Sequence, residues 1–204
     1  MQQKEHWEKI YANKPTDSVS WFQEHDELSL RLIQETGVTK SAAIIDIGGG
    51  TSTLVDDLLL SGYSALTVLD LSASALAATR KRLGLRSNDV KWLEANVTNA
   101  VLPVHAYDIW HDRAVFHFLL TPEERRAYVE TVLHAAKPGG HVIVATFAED
   151  GPTQCSGLPV MRYSAEKLQT EFGTSFKLLQ HQKEEHRTPS GVTQKFIYCY
   201  FIKL

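Results

Sequence analysis

Asp46, with Ile47 alone between, precedes Gly48-Gly49-Gly50, and Asp70 follows Gly50 by twenty positions. An acid at each of these points, with glycines between, is chemistry suited to holding a sugar and a cation. Residues 42–47 form a short apolar run without proline, as expected of a parallel strand buried on both faces. The glycines let the chain turn tightly and approach a ligand with no Cβ in the way, and residues 51–60 carry the apolar spacing of a helix. Gly62 closes that helix, residues 65–69 read as a second strand, and Asp70 falls at its carboxyl end. An acid placed there can accept both hydroxyls of a ribose.

The spacing separates two ligand classes. A dinucleotide fingerprint needs a further glycine three residues after Gly50, where this chain has Thr53, and Asp46 would repel a pyrophosphate. A carboxylate at that point suits a ligand with a positive end, such as the amino group of a methionine moiety. Asp46, Gly48 and Gly50 resemble the Asp/Glu-x-Gly-x-Gly-x-Gly motif of the class I S-adenosylmethionine-dependent methyltransferases, with Ser52 in place of the last glycine. The resemblance implies S-adenosylmethionine as cofactor, held by Asp46, Gly48, Gly49, Gly50, Ser52, Asp70, Leu71, Asn96, Val97 and His111. It also implies that Asn96 stands where the family has an Asp contacting the adenine amino group, a role the Asn side-chain carbonyl can fill.

The densest chemistry lies further on, in His111-Asp112-Arg113-Ala114-Val115-Phe116-His117-Phe118, directly after a predicted strand over residues 107–110. Open α/β sheets bind ligands along the carboxyl edge, so this run borders the donor and the acceptor. Arg113 offers a fork of donors to a carboxylate, and Asp112 either partners Arg113 or orients His111. For an amine acceptor, His111, Asp112 and His117 are the candidate bases, whereas a thiolate needs none. His111, Asp112, Arg113 and His117 are the expected catalytic set, and no metal is required.

The remaining elements position these groups. Trp7, Ile10 and Tyr11 recur at helical spacing, Lys14-Pro15 breaks that helix, and Trp21-Phe22 precedes a second helix ending near Gly37. Residues 1–39 are expected to form a helical lid over a domain spanning residues 40–204. Its aromatics either cap the site or pack onto the sheet, and their order resembles the opening of protein-lysine methyltransferases. Ser72 caps a helix to Leu83, and residues 90–94 form a third strand. Thr121-Pro122-Glu123-Glu124 is a capping box opening a helix that Lys137-Pro138-Gly139-Gly140 stops before a strand over residues 141–147. The long connection 148–163 is either an ordered wall carrying Cys155, Arg162 and Tyr163 to the acceptor or a solvated loop. Trp7, Tyr11, Trp21 and Phe22 complete the expected substrate-binding set. A helix from Ser164 and two strands, 176–184 and 193–202, close the chain.

Composition bounds the function classes. The chain has 204 residues, 43% hydrophobic and 22% charged, with a formal net charge of −3. That is one ordinary domain without the positive field that recruits nucleic acid or an anionic membrane. The polar start and the lack of a membrane-length apolar run predict a cytoplasmic protein, monomeric or homodimeric, with Cys155 and Cys199 as free thiols. The expected architecture is a single α/β, Rossmann-like domain: a seven-stranded, mostly parallel sheet with a C-terminal antiparallel hairpin and helices on both faces. The expected function is methyl transfer to a small molecule, favoured by the compact chain. The alternatives are a protein-lysine methyltransferase and a non-catalytic S-adenosylmethionine-binding module.

Overall fold

Side chains alternate between two apolar layers along the central strands, and this alternation sorts the helices. The computed structural model describes residues 2–13 and 15–204. Its parallel strands are β1 (Ala43–Ile47), β2 (Ala65–Asp70), β3 (Val90–Glu94), β4 (Tyr107–Arg113) and β5 (Ala136–Phe147). A short ribbon of β6 (Gln154–Cys155) and β7 (Leu158–Pro159) follows, then the hairpin β8 (Phe176–Arg187) and β9 (Thr193–Lys203). Among the described residues a seven-stranded sheet runs β3-β2-β1-β4-β5-β9-β8, parallel except that β9 opposes both of its neighbours. This is the expected architecture, a Rossmann-like sheet ending in an antiparallel pair.

Helices α2 (Glu27–Glu35), α3 (Leu54–Leu60) and α4 (Ala73–Leu83) cover one face, where Leu32, Ile33, Leu54, Leu58 and Leu76 pack with Ile44, Val68 and Ile109. Helices α5 (Pro122–Ala135) and α6 (Ala165–Phe172) cover the other, where Tyr128, Val132, Leu168 and Phe172 pack with Ile45, Trp110 and Val142. The first helix, α1 (Gln2–Asn13), joins neither layer. Helix starts follow the local chemistry. The Ser72, Thr121 and Ser164 hydroxyls each accept a backbone N–H two or three residues into the helix, and Glu124 completes a capping box with Thr121.

Around the glycine turn, β4 and β5, three boundaries differ from expectation. Helix α3 starts at Leu54, because residues 51–53 continue the turn that leaves the glycines. Strand β4 runs on to Arg113, so His111 and Arg113 face the α2–α3 layer while Asp112 faces α5. Lys137-Pro138-Gly139-Gly140 does not separate helix from strand. Strand β5 begins at Ala136, opposite Tyr107, and the register shift before Ile109 absorbs the turn at Gly139.

Candidate functional site

The carboxyl ends of β1, β2 and β4 open into two adjoining hollows that share Trp21, Ile47, Gly48 and Arg113. The larger is lined by Asp70, Leu71, Asn96 and Val97 on one side, by Val115, Phe118 and Cys155 on the other, and by Trp7 and Tyr11 of α1 above. The second is lined by Asp46, Gly49, Ser52, His111 and Phe22. The two acids read first from the sequence therefore stand in adjoining hollows on one sheet edge.

Their surroundings differ. Both Asp70 oxygens already accept backbone N–H groups, Oδ1 from Ser72 at 2.8 Å and Oδ2 from Gly50 at 3.0 Å, which leaves a lone pair on each for a hydroxyl. Burial pushes its pKa up to about 6. Asp46 Oδ1 lies 2.7 Å from His111 Nδ1, and Asp46 Oδ2 is buried with no partner. A buried carboxylate oxygen without a donor lacks a hydrogen-bonding cation or N–H. Burial raises the Asp46 pKa against the opposing pull of His111, and the acid in turn holds the His111 pKa above the ordinary imidazole value despite burial.

The protein's own packing requires the glycines. A Cβ on Gly48 would strike Val115, one on Gly49 the free Asp46 oxygen, and one on Gly50 both Ala75 and Asp70. Gly48 also has φ +69°, a conformation only glycine adopts without strain. The turn thus brings two carboxylates and a β4-loop side chain against bare backbone. Ser52, where the motif has a further glycine, accepts from Leu54 N at 3.1 Å and starts α3.

Four of the expected roles change. His111 has both ring nitrogens engaged, Nδ1 with Asp46 and Nε2 with Ser29 Oγ at 2.8 Å, and has none free to take a proton from an acceptor. Asp112 partners neither Arg113 nor His111. It accepts from Val115 N, Phe116 N and Tyr128 Oη, and so shapes the turn after β4 from the opposite face. His117 lies fully buried outside both hollows, its Nδ1 accepting from Phe147 N, and burial lowers its pKa to about 3. The Asn96 side-chain carbonyl accepts from both Thr98 N and Thr98 Oγ1, so its amide offers donors where an acceptor was expected.

The connection after β5 is ordered, but only Cys155 of its three expected residues reaches the hollow. Arg162 is exposed and donates to Gly151 O, and Tyr163 packs into the α5–α6 layer against Phe116. Cys155 and Cys199 are both free and buried. Trp7, Tyr11 and Trp21 do line the larger hollow, and Trp7 meets Trp21 and Phe118 edge-on with ring centroids 5.6 and 5.2 Å apart. The sequence reading missed Phe118, whose spacing from Arg113 carries no periodic signal, and Glu8. The Glu8 carboxylate accepts from Ala73 N at 2.6 Å and Ser74 N at 3.3 Å at the start of α4.

Comparison with known proteins accords with this geometry. A family model described as a methyltransferase domain matches residues 45–142, a span holding Asp46, the glycines, Asp70 and Asn96. The chain carries a class I S-adenosylmethionine-dependent methyltransferase domain. A curated zebrafish (Danio rerio) relative, EEF1A lysine methyltransferase 2, is 26% identical over 93% of this chain and 82% of its own. A solved structure from work on converting a disulfide into a thioacetal in echinomycin biosynthesis superposes with TM-score 0.78 at 16% identity, covering 98% of this chain and 91% of that one. The Burkholderia thailandensis 1,6-didemethyltoxoflavin-N1-methyltransferase, solved with S-adenosylhomocysteine bound, superposes with TM-score 0.68 at 16% identity, over 99% and 84% of the two chains. S-adenosylmethionine is the cofactor of this methyltransferase domain. The free Asp46 oxygen and the ribose-ready Asp70 fit a ligand with an ammonium group at one end and a nucleoside at the other. Among the described residues no group of His, Cys, Asp or Glu is arranged to hold a metal ion, and no helix is long and apolar enough to cross a membrane.

Proposed function

We propose that this protein transfers a methyl group to the side-chain amine of a protein lysine. The observation that carries this reading is the zebrafish relative, named as a lysine methyltransferase, whose likeness extends over 93% of the chain and so well beyond the 45–142 domain. Compactness, the sequence argument for a small-molecule acceptor, does not discriminate, because the chain spans 82% of a relative named for a protein substrate. The solved small-molecule enzyme shares the fold at 16% identity and lends support to the fold alone.

The site's residues divide the work. Asp70 would hold the ribose hydroxyls of the donor, Asp46 its ammonium group, and Leu71, Asn96 and Val97 the base. Bound S-adenosylmethionine supplies a methyl already activated on sulfonium. The chain's own task is to align an amine with that carbon and to keep water out. Trp7, Trp21 and Phe118 form the acceptor wall, an apolar lining suited to the four-carbon stem of lysine. Apart from Asp70, which would be engaged by the ribose, no side chain lining the larger hollow is poised to take the amine's proton. Burial holds the Cys155 thiol up at about 11 and Tyr11 well above the ordinary phenol value, and Arg113 is a cation. The amine therefore loses its proton to water as it enters, and desolvation between the rings favours the neutral form.

Incubation with tritiated S-adenosylmethionine and a cell lysate tests the proposal. Label in a protein band, recovered as methyl-lysine after hydrolysis, is the expected outcome. Label confined to metabolites would return the reading to a small-molecule acceptor, and donor binding without any transfer would leave a binding module.

A further inference from the structure

The C-terminal hairpin does more than complete the sheet. Strand β5 ends at Phe147, paired with Phe196, which in turn pairs with Glu184. The hairpin continues past that point through Glu185↔Lys195, His186↔Gln194 and Arg187↔Thr193, overhanging the sheet edge beside the segment that carries Trp21. Three backbone carbonyls of that segment are each tied by a side chain from a different element. His186 Nε2 donates to Ser20 O at 2.8 Å, Arg113 Nη1 to Trp21 O at 3.2 Å, and Thr53 Oγ1 to Gln23 O at 3.0 Å.

We infer that Glu184 and His186 are positioning residues of the transfer site, acting through Trp21. This rests on the reading of Trp21 as acceptor wall. Glu184 is the central piece. Its Oε2 accepts from Arg113 Nη2 at 3.2 Å and its Oε1 from Gln23 Nε2 at 3.2 Å. The Arg113 guanidinium lies 4.5 Å over the Phe196 ring, donates through Nε to Tyr198 Oη at 2.8 Å, and has a side chain only 8% exposed. A guanidinium so buried needs a carboxylate beside it, or it turns toward water. If Arg113 turned, Trp21 O would lose its tie. Trp21 faces both hollows, and a displacement of about 1 Å at a reacting site costs on the order of a hundredfold in rate.

An isosteric exchange isolates the effect. In Glu184→Gln one carbonyl oxygen faces two donors, Arg113 Nη2 and Gln23 Nε2, so one contact must break. Adding Gln23→Glu restores complementarity, because the new amide at position 184 can then donate to the new carboxylate at position 23 while its oxygen accepts from Arg113. The chain has four tryptophans, and 5-fluorotryptophan labelling gives each a fluorine resonance, that of Trp21 being assigned by its loss in Trp21→Phe. In Glu184→Gln the Trp21 resonance should shift or broaden, with its ring neighbour Trp7 free to follow, while those of Trp92 and Trp110 hold. Tritium transfer to lysate protein should fall by about tenfold, with S-adenosylhomocysteine affinity by calorimetry within about twofold of wild type. The double variant should restore both. An unmoved Trp21 resonance, or a loss of transfer that the double variant does not repair, would overturn the inference. Wild-type protein that labels no lysate protein would sink the lysine proposal alone, since the fluorine measurement needs no acceptor.

Discussion

Helix α1 and the segment from Val19 through α2 both lie over the sheet edge, yet they are attached in different ways. Segment 19–35 is built into the fold. Val19, Leu28, Leu32 and Ile33 are buried, Asp26 N donates to Asp57 Oδ2, and the carbonyls of residues 20, 21 and 23 are each tied by a side chain. No α1 residue whose burial is described is fully buried, and its ties are few: Glu8 on the α4 start, an exposed Lys4–Glu94 pair, and the rings of Trp7 and Tyr11. A segment with few buried apolar contacts opens at low free-energy cost, whereas one inside the core opens only when the domain does. One sheet edge thus carries a firmly tied segment, presenting Trp21, beside a loosely tied helix above Asp70.

Five measurements probe this contrast. Ile33→Ala, in the fixed segment, should cost about 2–5 kcal/mol of stability by denaturant titration, and Ile10→Ala in α1 under about 1 kcal/mol. Equal costs would make α1 part of the core. Asp70→Ala should weaken S-adenosylhomocysteine binding by about 1–3 kcal/mol with the fold retained. Normal affinity in the folded variant would remove Asp70 from the ligand beneath α1.

The same carboxylate sets a pH dependence. Its pKa in the free protein is about 6, against an ordinary 3.8. Affinity for S-adenosylhomocysteine should therefore fall as pH drops through 6, since a protonated Asp70 accepts hydroxyls poorly. The contribution to stability runs the other way, because a raised folded-state pKa favours the protonated folded form between about 4 and 6. Asp70→Asn should flatten the affinity profile measured by calorimetry between pH 5 and 8. A persistent slope would assign it to Asp46 and His111.

Smaller effects belong to α1 itself. Trp7→Ala should weaken S-adenosylhomocysteine binding by about 1 kcal/mol, the worth of its ring contacts, with an unchanged melting temperature. A drop in melting temperature matching that of Ile33→Ala would deny it a lid role. Glu8→Gln removes a carboxylate from a helix start, worth about 0.3–1 kcal/mol. It should speed ligand dissociation in stopped flow, and an unchanged rate would leave the helix held by its aromatic rings alone.

Much of this was legible locally. Glycines before a helix, an acid ending the next strand, and Thr121-Pro122-Glu123-Glu124 express their structure within a few residues, so the succession of strands and helices along the chain and the two acids could be read from spacing. Asn96 was legible as a position and not as a role, because its partner Thr98 decides which half of its amide is free. The His111–Phe118 run misled for a reason of length. Two or three more residues of β4 send His111 and Asp112 to opposite faces, and the register with β5 decides that extension. The fold class, the kind of cofactor and the two acids at the sheet edge were already in the sequence, since each rests on contacts between near neighbours or on a strand-turn-helix unit. Only the tertiary structure decided which histidines are buried and engaged, which aromatic rings reach the hollow, and that Glu184 meets Arg113 across 71 positions. Those pairings depend on strand order and hairpin overhang, which no local spacing encodes.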